Sequence, residues 1–300
     1  MTSTVENRRI RILRLSAFAL GSGLVFYLAV NIGLASLYVT ALAHPGCNKT
    51  VAPIADGPTA EEHILLTADG LRIRSWYYPP QNGAVILALG GPSGSLGESL
   101  PPVDFLLRNG YGVMQIDSRA CATPPAAVTL GANELMEAEA GLNFLRSRPE
   151  VKQIGAMGFS MGGVTAIRTA ARRPEIMAVV AEGGYYNLGK DFVEPEQAKP
   201  LYLNFFLHIV AGCFQYLYGI NPWEISPVDD LPRISPRPVL LIYGEHEIQD
   251  GHGDIQLAAA REPKQLWIVP GGAHGTNYLV APQEYERRVL EFFNQALVNR

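Results

Sequence analysis

A serine becomes a useful nucleophile when a tight turn exposes its hydroxyl and a neighbouring base removes its proton. One stretch of this 300-residue chain has that form. Gly158-Phe159-Ser160-Met161-Gly162, a G-x-S-x-G turn, follows the apolar residues 154–157 and leads into the helical pattern of residues 161–171. The flanking glycines remove side chains that would collide in so sharp a strand-to-helix turn. The chemistry predicted is acyl transfer, with Ser160 attacking a carbonyl. The Met161 amide, at the helix start, faces the developing oxyanion with the helix dipole behind it. A second amide is expected from the loop after an earlier strand, where Leu89-Gly90-Gly91-Pro92-Ser93-Gly94 lies. Pro92 has no N–H. Gly91 is therefore the candidate, with Ser93 in reserve.

Six histidines compete for the role of base. His44 falls in a linker, His63 in an opening strand and His208 in an apolar block, while His246 and His252 share a polar loop. His274 has a different setting: Gly271-Gly272-Ala273-His274-Gly275 directly follows the strand-like residues 265–269. A carboxylate must orient the imidazole and stabilise its charged form. The strand-like residues 239–243, then Gly244, lead to Glu247, with Asp250 as nearest rival. The order Ser160, Glu247, His274 is the order in which a strand–turn–helix hydrolase site is assembled. The acidic, histidine-bearing residues 245–254 match no zinc-ligand spacing. Neither a metal nor a cofactor is expected.

These groups need a frame, and the chain supplies alternating elements. Residues 62–67 and 71–78 alternate apolar and polar around Ala68-Asp69-Gly70, the turn chemistry of a hairpin. Then come short, wholly apolar runs at 84–89, 113–116, 154–157, 178–181, 239–243 and 265–269, which suit strands covered on both faces. Helical periods separate them at 100–108, 132–145, 161–171, 255–261 and 283–297. The pattern predicts an α/β fold, a mostly parallel central sheet flanked by helices. Residues 186–237 interrupt it with an insertion holding an apolar block, 201–218. A second membrane span there would put Ser160 and His274 on opposite sides of a bilayer, so a catalytic site requires a helical cap. Its Phe205, Phe206, Phe214, Tyr216 and Tyr218 suggest a small-molecule substrate with an apolar acyl or aromatic group.

Residues 15–43 carry no charge and follow Arg8, Arg9, Arg11 and Arg14. The run exceeds the ~20 residues that cross a bilayer and the ~15 of a signal-peptide core, although Ala41-Leu42-Ala43 fits a cleavage pattern. The expected organisation is a basic tail (1–14), a transmembrane anchor (15–43), a linker (44–59) and a catalytic domain (60–300). Four arginines before the span, against Lys49 soon after it, predict a cytoplasmic N-terminus and a single-pass protein whose domain lies on the extracytoplasmic side. Asn48-Lys49-Thr50 is a glycosylation sequon in a eukaryotic secretory setting. A formal charge of -4 without a dense basic block argues against nucleic acid as a partner. Cys47, Cys121 and Cys213 lack metal-site spacing and allow at most one bridge.

With these residues in view, residues 60–298 resemble the α/β-hydrolase superfamily, in particular its serine aminopeptidase and dipeptidyl-peptidase-like hydrolase branch. Gly110-Tyr111-Gly112-Val113-Met114-Gln115-Ile116-Asp117-Ser118-Arg119 is similar to that branch's GYxVxxxDxRG segment, and Ser226-Pro227 with Pro236-Arg237-Pro238 to its approach to the acid-bearing strand. Leu89 stands where many relatives have the histidine of an HGGP-like loop, and Ala120 where they have glycine. The resemblance implies hydrolysis of an ester, thioester or amide. Carboxylesterase leads; a serine peptidase, and an inactive fold serving as a membrane-tethered binding module, are the alternatives.

Overall fold

The Asp69-Gly70 turn, with Gly70 at φ +84°, joins β1 (Glu61–Leu66) to β2 (Arg72–Tyr78) as the expected antiparallel hairpin. A computed structural model describes residues 2–47, 59–92, 103–193, 201–248 and 252–299. From the hairpin the chain builds β3 (Ala84–Leu89), α2 (Asp104–Arg108), β4 (Gly112–Ile116), α3 (Glu134–Arg146), β5 (Gln153–Phe159), α4 (Met161–Arg172) and β6 (Ile176–Glu182). The apolar runs are thus strands, each within about two residues of expectation. The 100–108 helix is seen from Asp104 onward, its first residues lying outside those described.

The insertion supplies α5 (Leu188–Val193), α6 (Leu201–Tyr218) and α7 (Pro227–Asp230), and the sheet then resumes. β7 (Val239–Gly244), α8 (Gly253–Ala259), β8 (Lys264–Val269), α9 (Asn277–Val280) and α10 (Pro282–Phe293) complete the chain. Eight strands form one sheet in the order β1-β2-β4-β3-β5-β6-β7-β8, antiparallel at β1–β2–β4 and parallel elsewhere. Both faces are covered. α3 and α4 put Leu142, Leu145 and Ile167 on one side, and α2 and α10 put Phe105, Tyr285 and Phe293 on the other. This explains why the strands read as continuous apolar runs.

At the amino end α1 (Thr2–Ala43) starts before the uncharged run, its arginines being good helix formers. Residues 11–43 are long and apolar enough to cross a membrane, as a signal sequence near the N-terminus also would be. Its distal turns meet the domain: Ala35, Val39 and Ala43 are buried, and Ala43 O accepts from the Val128 amide at 2.8 Å. Beyond it Cys47 is bonded to Cys121, which leaves Cys213 as the free, buried thiol. Sequence spacing alone did not choose that pair. The sequon Asn48-Lys49-Thr50 lies outside the described residues.

Candidate active site

β5 runs straight into α4 with Ser160 between them at φ 54°, ψ −121°, a backbone that non-glycine residues rarely adopt. The turn is held from several sides. The Ser160 amide donates to Glu182 O at 2.7 Å, and a Cβ on Gly158 would lie 2.1 Å from Gly162 O. A Cβ on Gly162 would lie 2.0 Å from Leu89 O, so the exit of β3 is pressed against the start of α4. That contact brings the loop carrying Gly91 beside the turn carrying Met161, whose amide is one of the helix's first and has no acceptor within the helix. Ser93 lies outside the described residues.

The carboxyl ends of the next strands bring the partners. β7 ends at Gly244, and its amide donates to Glu247 Oε1 at 2.8 Å, fixing that side chain three residues on. After β8 the histidine loop folds back on it: the His246 amide donates to Gly272 O and the Gly271 amide to Glu245 Oε2. As a result His274 Nδ1 lies 2.8 Å from Glu247 Oε2, and His274 Nε2 lies 3.1 Å from Ser160 Oγ. The Phe159 ring packs 4.8 Å from the imidazole and limits its tilt. Asp250, the rival acid, lies outside the described residues.

His63, His208 and His252 are engaged elsewhere, on Glu61 and Phe144, on Asn204 O, and on Tyr186 respectively. In the acidic 245–254 stretch, Glu245 and Glu247 are occupied by the Gly271 amide and by His274. Among the described residues no group of three His, Cys, Asp or Glu side chains is arranged to hold a metal.

The electrostatics fit a base and its orienting acid. Burial opposes ionisation of Glu247, but hydrogen bonds from His274, the Gly244 amide and Asn277, with the imidazole charge, hold its carboxyl below the usual value. The hydrogen bond to Glu247 raises the His274 pKa above 6.5 against partial desolvation, with added attraction from Glu247, Glu182 and Asp191. A serine hydroxyl within reach of an imidazole whose other nitrogen is held by a carboxylate can be deprotonated as it attacks.

Three residues that sequence reasoning did not single out complete the arrangement. Asn277 Nδ2 bridges Glu247 Oε1 at 2.9 Å and Glu182 Oε1 at 3.0 Å. Glu182, buried at the end of β6, also accepts from Tyr285 at 2.6 Å, and burial pushes its pKa up to about 7. Gly183, at φ +62°, leaves room for the imidazole, since a Cβ there would lie 3.0 Å from His274 Nδ1. A carboxylate ending the otherwise apolar run 176–181 was the signal available for Glu182.

Known proteins agree with this architecture. Residues 116–205 match the dienelactone hydrolase family. YfhR of Escherichia coli K12, named as an uncharacterized protein, is 25% identical over 230 residues, covering 72% of this chain and 74% of that protein. The Pyrococcus furiosus esterase Pf2001 superposes with a TM-score of 0.64 at 22% identity, over 84% of this chain and 100% of that one. An acylaminoacyl peptidase of Pyrococcus horikoshii superposes with a TM-score of 0.62 at 19% identity, over 82% of this chain but 43% of its own. With a mostly parallel sheet wound on both faces, a strained serine between β5 and α4, and these likenesses, the chain has the α/β-hydrolase fold.

Proposed function

We propose that this protein is a membrane-anchored serine hydrolase that cleaves an ester through Ser160, His274 and Glu247. The observation that carries the reading is the unbroken contact from Ser160 Oγ through His274 to Glu247, 3.1 Å and 2.8 Å, at the carboxyl edge of the sheet. His274 takes the serine proton as Oγ bonds to the substrate carbonyl, and returns it to the leaving alkoxide as the ester C–O bond breaks. Water, deprotonated by the same imidazole, then releases the acid from Ser160. The Met161 and Gly91 amides hold the oxyanion. An inactive binding module has no need of so strained a serine aligned with a base.

The esterase neighbour is matched over its whole length and the peptidase over less than half, which favours an ester over a peptide as substrate. The apolar cap favours a hydrophobic acyl group. In this reading α1 stays attached as a cytoplasm-in, single-pass anchor, and the domain faces the extracytoplasmic side. Cleavage after Ala43 would sever a helix whose last turns are packed into the domain. The Cys47–Cys121 bridge also favours an oxidising compartment.

The test is labelling with a fluorophosphonate and hydrolysis of p-nitrophenyl butyrate. Ser160→Ala is expected to abolish labelling and lower kcat by about 10⁴-fold or more. Wild-type protein that is neither labelled nor active would refute the assignment.

A further inference from the structure

α1 is too long for a bilayer alone. Its candidate span, Arg11–Ala43, is 33 residues, and at ~1.5 Å per residue that is about 50 Å, against a hydrocarbon core of ~30 Å. Counting ~20 residues from the last arginine, Arg14, the helix leaves the hydrocarbon near Ala35. Ala35 is also where α1 begins to be buried in the domain. The outer membrane surface and the domain therefore meet at this point.

α6 runs beside α1 across that level, and the two helices point the same way. Tyr27 stacks on Phe205 at 6.5 Å, Ser36 Oγ and Ile32 O approach Cys213 Sγ, and His44 lies 6.2 Å from Tyr218. Tyr27 is eight residues before Ala35, or ~12 Å along the helix, so the first turns of α6 reach below the surface level. In those turns Tyr202 and Phe205 are 66% and 44% exposed, while Val210, Ala211 and Phe214 farther along are packed into protein before Tyr216 is exposed again. No charged residue occurs in α6, but Asn204 and His208 do, and Glu194, Glu196 and Lys199 precede it in sequence. That composition suits a helix held at the headgroup–acyl boundary, ~5–10 Å deep, and not one that crosses.

One apolar cluster continues inward from this surface. It joins Ala35 and Val39 of α1, Val210 and Phe214 of α6, and Leu188 and Phe192 of α5 to Met161 and Val164 on the nucleophile helix. This buried packing joins α1 and α6 directly to the nucleophile helix, so the serine is carried by the same apolar unit that meets the membrane surface.

We infer that the exposed face at the start of α6 rests in the outer leaflet against bilayer lipid, and that the substrate is a long-chain acyl ester drawn from that leaflet. Hydrolysis adds water across the ester, giving a carboxylic acid and an alcohol, and needs no other reactant. The inference rests on the proposed anchored serine hydrolase, so its test separates the two.

In the full chain reconstituted in phosphatidylcholine vesicles, nitroxide labels at Phe26→Cys and, separately, Phe205→Cys are read by relaxation with oxygen and with a water-soluble nickel chelate. Both labels are expected to favour oxygen. If the label at 26 reads lipid and that at 205 reads water, α6 does not touch the bilayer and the inference falls while the anchor stands. A label at 26 that reads water overturns the anchor and the inference with it. In the same vesicles, Tyr202→Glu is expected to lower hydrolysis of dioleoylglycerol about tenfold and leave p-nitrophenyl acetate within about twofold. Equal effects on both esters refute delivery from the leaflet. Wild-type protein that cleaves only the soluble ester refutes the substrate class, and protein that cleaves neither refutes the hydrolase.

Discussion

In the proposed mechanism His274 must be neutral to accept the Ser160 proton, so its pKa would set the acid side of the activity profile. The hydrogen bond to Glu247 raises that pKa above 6.5. Accordingly kcat/KM should be lost as pH falls through an apparent pKa above 6.5 and be fully present beyond it. Glu247→Gln removes the carboxylate's hydrogen bond and charge, and leaves desolvation, which favours the neutral ring, opposed by the attraction of Glu182 and Asp191. The limb should then move to lower pH while kcat falls about a thousandfold or more, because the tautomer is no longer fixed. A limb that stays in place in Glu247→Gln would remove Glu247 from this role. Ser160, Glu247 and His274, which the fold brings into contact, could be picked out as candidates in the sequence because each follows an apolar run with a turning glycine, Gly158, Gly244 or Gly272. Asn277 and Gly183 were not. Neither carries a motif, and their importance comes from distances between β6, β8 and α9 that only the folded sheet sets.

The strands were readable for a physical reason: burial on both faces erases alternation, and continuous apolarity then marks each strand. The hairpin at Asp69-Gly70 was readable from its turn chemistry. The partnership of α6 with α1 was not, since an apolar face announces that it is covered without naming what covers it. Close backbone approach was visible at the nucleophile turn, where glycines recur at 158, 162 and 163. Its consequence can be weighed. A Cβ on Gly162 would meet Leu89 O at 2.0 Å and Leu89 C at 2.5 Å, backbone atoms that cannot turn aside as a side chain can. Gly162→Ala should therefore cost about 2–4 kcal/mol and lower Tm by roughly 5–10 °C. Gly212 in α6 has nothing within 4 Å of its Cβ position, so Gly212→Ala should be neutral or raise stability by ~0.5–1 kcal/mol. Equal melting temperatures for the two variants would mean that β3 and α4 are not packed as described.

At the scale of the molecule, α1, the proposed anchor, is not a tether on a loose string. The last turns of α1 are buried, Ala43 O is bonded to the Val128 amide, and four residues later Cys47 is joined to Cys121 at the β4 exit. If α1 is the proposed anchor, helix packing and bridge together hold the sheet's carboxyl edge at a set distance from the membrane, which a free linker could not. The bridge suits the proposed extracytoplasmic setting, because disulfides persist where thiols are kept oxidised. Cys213 is the remaining cysteine and is buried. Full-length protein purified without reductant and titrated in denaturant should show one thiol, and three after reduction. Closing a loop of 74 residues restricts the unfolded chain, so reduction, or Cys47→Ser with Cys121→Ser, should lower stability by about 4 kcal/mol, measured as a shift in the denaturant midpoint. Three thiols before any reductant is added would mean that the domain matures in a reducing compartment. The arginine-derived orientation, with the domain on the extracytoplasmic side, would then have to be reversed.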